Sequence, residues 1–171
     1  LNFFTDIEMP LIDVLMKMEN EGVYVDEDLL NEMSLNIGKR LDLLVKEIYN
    51  IAEEEFNINS TQQLAKILFD DLKLTQIKKR STAENVLKEL VNEHELPELI
   101  LSYRKLNKLK NTYIDALPES INKNTKRIHS TFNQTIAATG RLSSTGPNFQ
   151  NIPIRTVDGL SLIHISEPTR P

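Results

Sequence analysis

Apolar residues recur along the first two-thirds of the chain at steps of three and four, the spacing of helices that each bury one side. In DIEMPLIDVLMKMENEG the positions Leu11, Ile12, Leu15, Met16 and Met18 predict a first helix, with Gly22 as its stop. VYV then reads as a short extended link. Asp26 suits the N-cap of a long helix through EDLLNEMSLNIGKRLDLLVKEIYNIAEEE, whose seam is Leu30, Met33, Ile37, Leu41, Leu44, Ile48 and Ile51. Ser60 can cap a helix that starts at Thr61 and ends near Asp71, and KLTQIKKR reads as a loop or tip. Ser81 stands three residues before Glu84, the spacing of a capping box at the head of STAENVLKEL. Pro97 fits the first turn of a helix with Leu99, Tyr103, Leu106, Leu109, Tyr113 and Leu117 on its seam.

The pattern changes after Pro118. RIHSTFNQT alternates Ile128, Ser130 and Phe132 in the manner of a strand. ATGRLSSTGPNFQNIPIR is turn-rich, with two glycines and two prolines. Long helices followed by a short β region predict a mainly α chain with a small antiparallel β element near Arg127 to Gln134, an α+β class. No internal repeat and no low-complexity tract interrupts this order.

Composition narrows the function classes. Hydrophobic residues make up 40% of the chain and charged residues 26%, the balance of a soluble globular protein. No apolar run approaches the roughly 18 residues of a membrane span, and the N-terminus lacks a signal-peptide pattern. The absence of cysteine excludes disulfides and thiolate metal sites. Together these fit a cytoplasmic protein with no membrane partner. The net charge of −5 is unevenly spread. Residues 1–56 carry fourteen acids against four bases, whereas residues 102–155 carry nine bases against two acids. A basic segment beside an acidic one points to a local surface for a polyanion.

The chemistry is concentrated in TIAATGRLSSTGPNFQNIPIR, from Thr135 to Arg155. Arg141 sits among small and hydroxylated residues, and three carboxamides follow at Asn148, Gln150 and Asn151. The stretch has no acid, no histidine and no cysteine, so it offers hydrogen-bond donors and no nucleophile. Purine N3 and pyrimidine O2 acceptors occupy nearly equivalent places in the minor groove of every base pair. Arginine offers five donors in a rigid fork, and each carboxamide offers two. Gly140, Ser143 and Ser144 leave room for close backbone approach. This set therefore fits a groove-reading cluster. Arg104, Lys105, Lys108 and Lys110 are candidates for phosphate contacts, with the helix starts at Ser60–Thr61 and Ser81–Thr82 as further donors. The bland reading stands beside it: a solvated arginine, amides that satisfy their own turn, and a wet lysine face. Two rival classes remain open on the residues alone, a stand-alone helical nucleic-acid-binding module and a helical interaction protein with no nucleic-acid role.

TFNQTIAATGRLSSTGPNFQNIPIR resembles the first sequence motif of family A DNA polymerases, the bacterial DNA polymerase I type, which reads approximately T-x-T-G-R-L-S-S-x-x-P-N-L-Q-N-I-P. DIEMPLIDVLMKMENEGVYVD resembles the segment leading into the polymerase domain. FNINSTQQLAKILFDDL and STAENVLKEL resemble the thumb, and LILSYRKLNKLKNTYIDALP resembles the helix returning to the palm. The resemblance divides the chain into residues 1–56 as the leading helices, 57–117 as thumb and return helix, and 118–159 as a partial palm. It implies that Arg141 contacts the primer-terminal pair in the minor groove, that Asn148 and Gln150 contact the template side, and that Asn151 belongs to the same motif. It also implies that Lys108 and Arg104 track the duplex backbone, with Ser60, Thr61 and Lys78 to Arg80 where a thumb grips phosphates. Phe149 departs from the usual Leu, Gly146 stands where an acid is common, and the thumb tip lacks a glycine-containing insert.

The same resemblance implies a monomeric DNA-directed DNA polymerase as the whole enzyme, working on a primer–template duplex and deoxynucleoside triphosphates with Mg2+. The carboxylates that hold the metals in that family lie after this motif. The chain itself is therefore expected to bind no metal and to be inactive alone. LSLIHISEPTR, Leu160 to Arg170, matches codon by codon a translated transposase-end sequencing adapter. Residues 160–171 are accordingly read as a non-native tail, and the native sequence is expected to differ after Gly159.

Overall fold

The structure is a computed structural model that describes residues 2–153 and 156–165. It is mainly helical with two small antiparallel sheets, the class expected from the pattern. Residues 166–171 of the expected tail, and Ile154 and Arg155 of the motif, lie outside the described residues. No described helix is long and apolar enough to cross a membrane.

The chain forms two compact units, one made of Leu1–Ser34 with Leu109–Pro171 and the other of Leu35–Lys108. In the first, a π-helical turn at Phe4–Glu8 leads into α1, Met9–Glu21. Gly22 ends α1 with φ of 67°, and its N–H bonds back to Met18 O. Glycine is required here twice over, because a Cβ would also meet the His129 ring at 2.8 Å. Only Leu15 of α1 is buried, while Ile7, Met9, Ile12, Val14, Met16 and Met18 of this helical stretch are exposed. The extended link after Gly22 is in fact a strand, β1 (Val23–Tyr24). It pairs antiparallel with β2 (Arg127–Ile128), with Val23 opposite Ile128. The partner lies about a hundred residues away, so spacing alone gave no sign of it. A second sheet pairs β3 (Thr131–Asn133) with β4 (Ser143–Thr145), Phe132 opposite Ser144.

The long helix α2, Glu27–Ala52, starts after Asp26, whose Oδ1 accepts from Leu29 N at 3.1 Å. Leu30, Ile37, Leu41 and Ile48 of the predicted seam are buried. In the second unit α3, Thr61–Lys66, is capped by Ser60 and widens into a π-helical turn at Ile67–Asp71. The helix α4 runs over Glu84–Leu90, and α5 over Leu96–Leu109 with Pro97 in its first turn. Leu64, Leu68, Leu87, Leu90, Leu96 and Ile100 are fully buried, each worth about 1.5–3 kcal/mol of apolar transfer.

The capping box at Ser81 does not form. Ser81 Oγ accepts from Ala83 N at 3.3 Å, two residues on, and α4 begins only at Glu84 with no side-chain cap. Lys79 and Arg80 adopt positive φ, and Thr82 is buried, so the chain is still in a turn where the box needs helix. The helix α5 likewise gives way to a π-helical turn, Lys110–Ile114, in which Asp115 N bonds to Lys110 O. The wider turn places Lys110 beside Asp115. After Thr156 the chain forms α6, Val157–Ile165, which crosses the Gly159–Leu160 junction and buries Leu162.

Candidate nucleic-acid interface

The Arg141 turn is built on the β3–β4 hairpin of the first unit. Gly140 turns the chain at φ of 72°, with its N–H on Ala137 O at 3.0 Å. Arg141 follows, exposed and without a hydrogen bond or ion pair to a described residue. Its guanidinium is therefore presented to solvent. Gln150 Nε2 donates to Leu142 O at 2.9 Å, which fixes the residue next to Arg141. Asn148 Oδ1 accepts from Gln150 N at 2.9 Å and from Ser144 Oγ at 3.3 Å. The short 3-10 turn Phe149–Asn151 is thus capped by Asn148. Asn151 O accepts from Tyr113 Oη at 2.5 Å, a bond that ties the end of the motif to the π-helical turn. Ser130 Oγ reaches both Thr145 O and Pro147 O, at 3.0 and 2.7 Å, beside the cis Gly146–Pro147 peptide. The structure brings Arg141, Asn148, Gln150 and Asn151 onto one exposed motif. It also shows that two of the amides brace the turn with one edge, Asn148 through its oxygen and Gln150 through one N–H.

The remaining candidates lie in the second unit. Asn59, Thr61, Gln62, Arg80, Thr82 and Arg104 line an open cavity of about 820 Å³ between the starts of α3 and α4. Ser60 Oγ is occupied as the cap of α3, accepting from Gln63 N at 3.3 Å, and Thr61 is exposed. Arg104 is half-buried. Its Nη1 donates to Thr82 O at 2.6 Å and its Nη2 to Thr82 Oγ1 at 3.4 Å, so it also holds the turn before α4. Burial pushes its pKa down from the ordinary arginine value. Arg80 is engaged by both carboxylate oxygens of Asp70, and its side chain holds that carboxyl below its usual range. Lys108 is exposed and shares a small surface depression with Glu84, Arg104 and Lys105. The Glu84 carboxyl is held low chiefly by Lys88, with Lys105 and Lys108 adding to the field.

Lys110 is a correction. As a phosphate contact it would need a free ammonium, but its Nζ bonds Ser34 Oγ at 2.6 Å and Asp115 Oδ2 at 2.7 Å. Lys110 opens the π-helical turn and stands five residues before Asp115, the repeat of such a turn, so the two side chains meet. Among the described residues no three His, Cys, Asp or Glu side chains come together to hold a metal ion, so the described residues do not fit a two-metal centre.

The chain matches the sequence profile of DNA polymerase family A over residues 27–167. It is 50% identical over 161 residues to DNA polymerase I of Pseudomonas aeruginosa, a match covering 91% of this chain and 18% of that protein. It is 43% identical over 171 residues to DNA polymerase I of Geobacillus stearothermophilus, covering 98% of this chain and 20% of that one. Among solved structures it resembles the POL domain of Pol1 from M. smegmatis in complex with DNA primer-template and dNTP. That match has a TM-score of 0.85 and 36% identity, and covers 94% of this chain and 29% of the other. The chain belongs to the family A DNA polymerases. It spans about a fifth of the length of the curated relatives it matches.

Proposed function

We propose that this chain holds primer–template DNA for a DNA-directed DNA polymerase and does not itself carry out nucleotide transfer. The observation that carries the reading is the Arg141 turn: a solvent-facing guanidinium on a hairpin whose flanks are pinned by Gln150 and Asn148. With the backbone beside Arg141 already braced, meeting minor-groove acceptors has to order little more than the arginine side chain itself. Arg141, Asn148, Gln150 and Asn151 supply the groove side of the contact. Lys108, Arg104, Ser60 and Thr61 supply the phosphate side, where contacts fix position and carry no sequence information. The similar POL domain of Pol1 from M. smegmatis, solved in complex with DNA primer-template and dNTP, supports the partner. In this reading the whole enzyme takes deoxynucleoside triphosphates and uses Mg2+, as a cytoplasmic monomer. Leu160 to Pro171 is read as adapter-derived, and resequencing the gene checks it.

The test is a titration of the chain with a fluorescent primer–template at several salt concentrations. Salt-sensitive binding that weakens in Arg141→Ala and Lys108→Ala is the expected result, with no primer extension when Mg2+ and nucleotides are added. Binding indifferent to salt and to both substitutions would sink the reading.

A further inference from the structure

Two acids beside α1 have neutral partners. Glu8 closes the π-helical turn before α1, and Glu19 lies near the end of that helix. Eleven residues separate them, about three helical turns, so both face the same side. Glu19 Oε1 accepts from the backbone N–H of Phe132, in β3, at 2.6 Å. Glu19 O lies 2.8 Å from His129 Nδ1. Glu8 Oε2 accepts from Gln134 Nε2 at 2.6 Å, and Glu8 O lies 3.2 Å from the same nitrogen. Phe132 and Gln134 sit at the root of the segment that leads to Arg141. The other root, Leu142, is held by Gln150.

Hydrogen bonds to an ionised acceptor are stronger than neutral ones. The first of these two covers an edge position of β3, whose opposite side pairs with β4. The second fixes a side chain one residue beyond the strand. Neither acid is exposed to the DNA-facing guanidinium by any bond in the structure, so their effect on it runs through the backbone between residues 134 and 141. We propose that Glu8 and Glu19 are positioning residues for the Arg141 turn, anchoring one root of its loop to the α1 helix. The role in DNA binding rests on the reading given above; the anchoring itself does not.

The experiment uses the 171-residue chain with Glu19→Ala, Glu19→Gln, Glu8→Ala and Glu8→Gln, each alone and with Arg141→Ala. Hydrogen exchange of the free chain is the first readout. The alanine variants are expected to speed exchange over residues 131–142 and to leave residues 84–109 as they are. Glutamine keeps an acceptor oxygen, so E19Q and E8Q are expected to restore slow exchange. Primer–template affinity is the second readout. E19A and E8A are expected to weaken it about five- to tenfold, the net scale of one ordinary hydrogen bond felt through the backbone, and to add nothing in the R141A background. Unchanged exchange over 131–142 in both alanine variants overturns the proposal, as does an equal loss of affinity with and without Arg141. Where E19A loses the fold, E8A, which removes only the outer anchor, decides by the same two criteria. If the unsubstituted chain binds no primer–template, the proposed function fails, and the exchange data alone still confirm or overturn the anchor.

Discussion

Gln150 Nε2 and Leu142 O are 2.9 Å apart, so a side chain expected to reach toward DNA is also the brace of the residue that follows Arg141. The two roles separate experimentally. Arg141→Ala removes an exposed group without partners among the described residues, and thermal stability should stay within about 0.5 kcal/mol of the parent chain. Primer–template affinity should nonetheless fall about tenfold, the scale of a good bidentate contact. Gln150→Ala should weaken affinity as well and, unlike R141A, should raise hydrogen exchange at residues 141–145.

Asn148 distinguishes donor from acceptor. Asn148→Asp keeps the oxygen that caps Phe149–Asn151 and loses both amide donors. The variant should fold as the parent does and bind duplex more weakly, because a carboxylate now faces a polyanion. Asn148→Ala should destabilise by about 1 kcal/mol, the ordinary cost of a lost cap. Equal duplex affinity for N148D and the parent, measured by anisotropy, would remove Asn148 from the interface.

Arg104 and Lys108 are predicted to differ although both are basic residues of α5. Lys108→Ala should weaken binding evenly across sequences and lower the magnitude of the salt slope by about 1, as loss of one phosphate contact does. Arg104→Ala should also lower the melting temperature, since it leaves Thr82 O without its 2.6 Å partner in a half-buried place. Melting curves and salt titrations on the same two variants check this.

The Lys110–Asp115–Ser34 cluster gives a pH dependence. Burial pushes the Asp115 carboxyl up, but hydrogen bonds from Lys110 and Ser34 and the Lys110 charge outweigh it, and the net direction is down. A carboxyl with a lower pKa folded than unfolded stabilises the fold above its unfolded value, and that contribution disappears as pH falls through the folded one. Acid unfolding should therefore be shallower below about pH 4 in Asp115→Asn than in the parent. Chemical denaturation at several pH values between neutrality and the acid limb reads the difference.

Much of the helical framework was legible because burial imposes a period. Leu30, Ile37, Leu41 and Ile48 are buried where the three-and-four step placed them, and Asp26 and Ser60 cap where their side chains could reach. Events that depend on distant partners were not legible. β1 needs Arg127 and Ile128 to be a strand, and the turn at Lys79–Thr82 displaces the expected capping box. At the site, the sequence shows Arg141 and its amides within one turn-rich stretch, and the fold joins them through the bonds of Gln150 to Leu142 and of Asn148 to Ser144. It did not show which N–H or oxygen of Asn148 and Gln150 would be taken up internally, because that depends on the folded positions of Leu142 and Ser144. Glu8 and Glu19 carried no sequence signal for their partners, which lie more than a hundred positions away.

The first helix bears apolar side chains around most of its circumference, with Phe4, Ile7, Val14 and Met18 among those in contact with solvent. An apolar surface of this kind is expected to adsorb at interfaces. Dilute stocks of the purified chain should lose material to air bubbles and plastic walls, and a trace of mild detergent should recover it. Titrations against DNA are best made with that loss measured, since adsorbed protein would otherwise be mistaken for weak affinity.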